Sequence, residues 1–163
     1  MAIPVIGGML FCQSLLMKML REDAQATSSE WASELLAQNP DVLALFSNTT
    51  PSLHTMHVLD TGTKLGAIYR FRLWDTSGNL VYKSERLKTD EAPIVLSKKR
   101  SDNAAALGSI VNEVHAGSPP QNVPYFVESF IPVKQNGTVI GVFDIFLDQT
   151  DDEILYKKSL FLT

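Results

Sequence analysis

The stretch YFVESFIPVKQNGTVIGVFDIFLDQTDDE, Tyr125 to Glu153, constrains this chain more than any other. Tyr125 to Val133 is dense in aromatic and β-branched residues. Lys134-Gln135-Asn136-Gly137 follows, and Asn-Gly is the strongest short hairpin signal. Thr138 to Leu147 is then the return strand. Asp148 to Asp152 stops it and can cap a helix running to the C-terminus. The return strand is apolar at nearly every position, which predicts cover on both faces and a central place in its sheet. Asp144 interrupts that run. On the facing strand Glu128 shares its side with Phe126 and Phe130, by period-two alternation. A carboxylate on a covered face is costly without a partner. The two acids are therefore either paired inside the fold or line a cavity.

A chain of 163 residues builds one domain with a real core rather than two. Its net charge of −4 offers no general electrostatic case for nucleic acid. Cys12 is the one cysteine, so neither an internal disulfide nor a cysteine zinc cluster can form. The sequence has no glycine-rich phosphate loop, no Gly-x-Ser-x-Gly elbow and no His-Glu-x-x-His. Nothing in it supports an enzyme, and no cofactor is implied.

The N-terminal run Met1–Met17 carries no charge. It sits at the lower limit of a spanning length, ~17–25 residues. Residues 1–20 are thus either the remnant of a membrane segment or an apolar helix packed on the domain. From Arg21 to Ser47 the pattern is helical, with Trp31, Leu35 and Leu36 on one face. Asn39-Pro40-Asp41 breaks the helix, Asn39 capping a new turn with Pro40 at its first position. Leu53, Met56 and Leu59 repeat every three residues and predict a short helix with that side inward. His54 and His57 on it have metal-ligand spacing but no third ligand nearby, and read as solvent-facing or capping histidines.

Gly66–Asp75 and Leu80–Ser84 form an antiparallel hairpin around Thr76-Ser77-Gly78-Asn79. Arg70, Arg72 and Trp74 share one face of the first strand. Guanidinium forks match carboxylates, so two arginines among aromatics suit a small anion; equally they can be solvated, or pair with Glu128 or Asp144. Glu85 to Ser101 reads as a polar loop. Asp102 can cap a helix over Asn103–His115 that stops at Gly117, with His115 as a partner for the helix dipole.

Three segments together resemble a known family. They are the N-terminal helix with Trp31 and the Asn39-Pro40-Asp41 break before Phe46, the strand-turn-strand IYRFRLWDTSGNLVYKSE (Ile68–Glu85), and YFVESFIPVKQNGTVIGVFDIFLDQT (Tyr125–Thr150). Their order and spacing are similar to the PAS-like sensor domains of the PDC or Cache type, found outside the membrane in bacterial histidine kinases, diguanylate cyclases and chemoreceptors. The resemblance implies an α+β fold: a PAS-like antiparallel sheet, a long N-terminal helix on one face and a loop-and-helix cap over the ligand-side face. It implies one sensor domain over residues 21–163, ending in a short exit helix. It also implies an inner-membrane protein with this domain periplasmic or extracellular, flanking membrane segments, and a homodimer through the N-terminal helix. The Arg-x-x-x-aromatic and distal Asp set of the amino-acid-binding members is not found here, so ligand class does not carry over, and no output domain is present in the chain.

On this reading the chain is a non-enzymatic sensor domain for a small ligand, with carboxylate-bearing molecules as candidates. The expected contacts are Arg70, Arg72, Trp74, Tyr82, Ser84, Tyr125, Glu128 and Asp144. No metal and no nucleic acid are expected. The alternatives are a PAS-like module that binds nothing and only dimerises, and a small stand-alone soluble carrier or enzyme.

Overall fold

Asn136 and Gly137 take φ angles of 51° and 80°, the left-handed pair that a two-residue hairpin turn requires. The expected main hairpin therefore forms. In the computed structural model, which describes residues 3–47, 49–62, 67–84, 94–116 and 123–161, the elements are α1 (Ile3–Gln38), a 3₁₀ helix (Pro40–Ser47), α2 (Leu53–Gly62), β1 (Ile68–Asp75), β2 (Leu80–Lys83), α3 (Ile94–Leu107), β3 (Val111–Ala116), β4 (Tyr125–Gln135), β5 (Thr138–Asp148) and α4 (Thr150–Phe161). The strands form one antiparallel sheet in the order β2-β1-β5-β4-β3. The apolar return strand β5 is central, as its composition predicts.

The fold is α+β, with helices on both faces of the sheet. One face carries Phe71 and Leu73 of β1, Phe143 and Ile145 of β5 and Val127 of β4, all fully buried. Against them lie α1 and the 3₁₀ helix. Leu16, Leu20, Ala24, Ser28, Ala32 and Leu35 of α1 are all buried, a stripe at spacings of four and three, the helical period. Trp31 packs on Phe71 and Phe143 with ring centroids 5.0 and 6.0 Å away. α1 ends before Asn39-Pro40, where the sequence places the break. The Asn39 amide, however, donates back to the Leu35 carbonyl instead of capping forward. Gly141 of β5 lies under the Phe46 ring, and a Cβ there would also stand 2.8 Å from the Trp74 carbonyl oxygen. Only glycine allows the 3₁₀ helix to sit this low on the sheet.

α1 runs unbroken through residue 20. Among the described residues no helix is long and apolar enough to cross a membrane. The side chains of residues 1–10, on which the choice between membrane remnant and packed helix turns, lie outside the described residues.

Three expectations are corrected. Of the expected inward side of α2, Leu59 is fully buried and Met56 packs partly buried on the core, but Leu53 is 90% exposed and Thr55 takes its place among the buried residues. Ser52 caps this helix, its Oγ accepting from the Thr55 N–H at 3.2 Å. The expected polar loop ends early. Residues 85–93 lie outside the described residues, but Ile94–Leu107 is α3, and Lys98-Lys99-Arg100 is part of it. Its buried side is Ser97, Ser101 and Ala104, at spacings of four and three. Small and hydroxylic residues make that face invisible to a hydropathy pattern. The expected helix over Asn103–His115 is also replaced. α3 stops at Leu107, Gly108 takes φ 58°, and Val111–Ala116 is strand β3 paired to β4. The left-handed glycine, with β-branched Val111 and Val114 beyond it, decides the switch from helix to strand.

Candidate functional site

The sheet face opposite α1 is the one that carries charge. Strand alternation puts Arg70, Arg72 and Trp74 of β1 on it. The register sets Arg72 opposite Asp144 of β5, with Phe146 of β5 opposite Glu128 of β4. Arg72, Glu128 and Asp144 are 5%, 3% and 0% exposed. α3 lies over them and lowers Ser97 into the group.

The contacts form one continuous network. Arg72 donates through Nε to Asp144 Oδ2 at 2.8 Å, and through Nη2 to Ser97 Oγ at 2.7 Å and Glu128 Oε1 at 3.0 Å. Ser97 Oγ donates to the same Glu128 oxygen at 2.8 Å. The Trp74 indole N–H donates to Asp144 Oδ2 at 3.1 Å. The second oxygen of Glu128 turns toward β3, where it meets Arg100 Nη1 at 3.3 Å and His115 Nε2 at 3.1 Å. Arg100 also pairs with Glu113. The guanidinium carbons of Arg70 and Arg72 stand 3.9 and 4.7 Å from the centroid of the Phe146 ring, a cation–π floor under both.

The two carboxyls are driven apart. Burial raises Glu128, but hydrogen bonds from His115 and Ser97 and the charge of Arg72 outweigh it, and its pKa falls below the ordinary value. Asp144 is more deeply buried and faces the charge of Glu128. Those two effects exceed the pull of Arg72 and push it up to about 8. Among the described residues Asp144 Oδ1 has no hydrogen-bond partner, so this is the oxygen that can carry the proton. Because the folded value lies above the ordinary 3.8, the stability that Asp144 contributes is full below that value. It is lost as pH rises through about 8. Asp144→Asn keeps an acceptor for Arg72 and Trp74 and resembles the protonated acid. The expected result is that chemical unfolding of the variant loses this decline across neutral pH. Equal pH dependence in parent and variant would remove the proton from Asp144.

Of the eight residues expected at a site, the structure brings five to this face: Arg70, Arg72, Trp74, Glu128 and Asp144. The other three lie elsewhere. Tyr82 is on the α1 side of the sheet, stacked on Phe71 at 5.5 Å and donating to Asp60 at 2.7 Å. The Ser84 hydroxyl accepts the backbone N–H of Phe71 at 3.0 Å. Tyr125 donates to Met17 Sδ of α1 at 3.0 Å. The strand hairpins carry Tyr82 and Ser84 to the opposite side because residues directly across a ladder share a face, and theirs are Leu73 and Phe71. Ser97, Arg100, Glu113 and His115 are additions. Only the serine–alanine spacing of α3 and the Gly108 punctuation could have announced them. His115 is on a strand and bonded to Glu128 and is not the dipole partner of a helix end.

No protein-family model matches the sequence, and no curated protein matches it. Several solved structures are similar to this chain, two of them as follows. The ligand-binding domain of Mlp24 with asparagine is 14% identical, with a TM-score of 0.42 over 89% of this chain and 60% of that one. The sensory domain of the Campylobacter jejuni chemoreceptor Tlp3 (CcmL) with isoleucine bound is 13% identical, with a TM-score of 0.41 over 96% of this chain and 69% of that one. The chain thus spans about 60% of the length of the Mlp24 domain.

Proposed function

We propose that this chain is an extracytoplasmic ligand-sensing domain of a membrane signalling protein, taking a small polar molecule on the α3 side of its sheet. The observation that carries the proposal is the burial of Arg72, Glu128 and Asp144 beneath a single helix. Stability alone does not call for charge at such a place, because well-packed apolar residues serve as well or better. Charge kept there suits recognition. A ligand carboxylate takes the fork of Arg72, a ligand amine takes Glu128 or Asp144, and Trp74 walls the site. Each group already has a protein partner, so binding exchanges internal pairs for ligand pairs and shifts α3, which is tied through Ser97 and Arg100. α1 and α4 are linked to each other through Gln149 and Asp23. Their relative movement would bias a dimer across the membrane. The chain itself has no catalytic part in this scheme.

The test is unfolding in the presence of free amino acids and small mono- and dicarboxylates. A ligand at 100 times its Kd raises the unfolding free energy by about 2.7 kcal/mol, and Arg72→Lys should weaken that gain. If no compound shifts the unfolding midpoint, the small-carboxylate reading falls. One observation favours a second reading in that event. Arg72, Ser97 and Glu128 satisfy one another, so the network can act as an electrostatic staple that holds α3 on a ligand-free dimerisation module. Fractionation of native cells tests the location: a band confined to the soluble fraction removes the membrane part of the proposal.

A further inference from the structure

Glu113 and Glu128 stand directly opposite each other in the β3–β4 ladder. Like charges in that relation repel. His115, two residues along β3, points to the same face, and its Nε2 reaches Glu128 Oε2. The imidazole is stacked on Phe126 with centroids 4.8 Å apart and planes 17° apart, which holds its orientation. One Glu113 oxygen, one Glu128 oxygen and a His115 nitrogen all lie within 4.8 Å of one another. The cation that reconciles them is Arg100 of α3, paired to both acids. The two oxygens of Glu128 are divided between two tasks. Oε1 belongs to the Arg72–Ser97 network, and Oε2 belongs to this cluster.

We propose that Glu113, His115 and Glu128 form a site for a divalent transition-metal ion of the Zn²⁺ kind, which competes with the Arg100 guanidinium for the two carboxylates. One imidazole and two carboxylates, with room for water at the fourth position, make an ordinary donor set for such an ion. With bonds of about 2.1 Å, tetrahedral ligands stand about 3.4 Å apart. The set must therefore draw in slightly, a movement that rotation of the half-exposed Glu113 side chain can supply once Arg100 withdraws. Arg100 is only partly buried and can leave for water at modest cost. The consequence is mechanical. Metal entry removes the Arg100 tethers between α3 and the sheet while leaving those of Ser97 in place. This inference stands on the geometry of β3, β4 and α3, independently of any small-molecule ligand.

The test is calorimetric titration of the purified chain with Zn²⁺, and with Co²⁺ read by its ligand-field absorption, in a His54→Ala/His57→Ala background that removes the surface pair. The expected result is one ion per chain. Glu113→Gln and His115→Gln, both at partly exposed positions, should each abolish stoichiometric binding. Arg100→Gln should tighten it by roughly tenfold, the scale of removing one competing charge-assisted contact. A purely structural cluster predicts no gain from losing Arg100. Binding that survives both Glu113→Gln and His115→Gln overturns the proposal, as does absence of stoichiometric binding in the parent and in Arg100→Gln alike. If Arg100→Gln does not fold, the Glu113 and His115 variants of the parent still decide the question.

Discussion

Arg72→Ala is expected to lower the free energy of unfolding by about 3–5 kcal/mol, the cost of removing one partner from a buried ion pair. The guanidinium pairs with the charged Glu128 through Nη2 and donates a hydrogen bond to Asp144 Oδ2 through Nε. Without it Glu128 loses a charge partner, Asp144 Oδ2 loses one of its donors, and Ser97 loses a donor. Domains of this size have only ~5–15 kcal/mol in total, so the variant should be marginal at physiological temperature. A triple variant, Arg72→Met with Glu128→Gln and Asp144→Leu, is expected to recover most of the loss, because it removes the charges together. Denaturant unfolding of the two proteins separates the possibilities. A loss below about 1 kcal/mol for Arg72→Ala, the scale of a surface pair, would mean that water reaches the network and that its burial is not what makes it matter.

Phe143→Ala is the second large effect, about 3–5 kcal/mol, the usual cost of truncating a fully buried phenylalanine. Phe143 is at the centre of β5 with no exposed surface. It meets Trp31 of α1 edge-on at 6.0 Å and Phe46 of the 3₁₀ helix at 6.3 Å. These are the contacts through which the N-terminal helices sit on the sheet, so the cavity would loosen both. Leu53→Ala is the matched control: Leu53 is 90% exposed, and its loss should stay within about 0.5 kcal/mol. Unfolding midpoints with unchanged m-values test the pair. Equal effects at the two positions would place α1 and the 3₁₀ helix off the sheet.

The hairpin and the place of β5 are legible in the sequence because both rest on local rules. Asn136-Gly137 has one low-strain use between two strands, and a strand apolar on both sides has one stable position. The break at Asn39-Pro40 is of the same kind. α3 and β3 are not legible by those rules. The inward side of α3 is serine and alanine, which carry almost no hydropathy contrast, and its three cations read as solvent. β3 follows so closely that one helix can be drawn through both unless Gly108 is given its left-handed conformation.

The site divides along the same line. Alternation alone predicts that Arg70, Arg72 and Trp74 share a face, that Glu128 sits with Phe126 and Phe130, and that Asp144 interrupts an apolar strand. It leaves open whether the acids meet each other, a ligand or the arginines, because alternation has no register. The tertiary structure decides that by pairing Arg72 with Asp144 across β1 and β5 and setting Glu113 against Glu128 across β3 and β4. The sequence by itself determined the strand periods, the turns and the presence of charge on a covered face, since these are fixed by neighbours a few residues apart. Only the tertiary structure decided which charges meet, because Arg72 and Asp144, 72 residues apart in the chain, are brought together by strand order and not by any local preference.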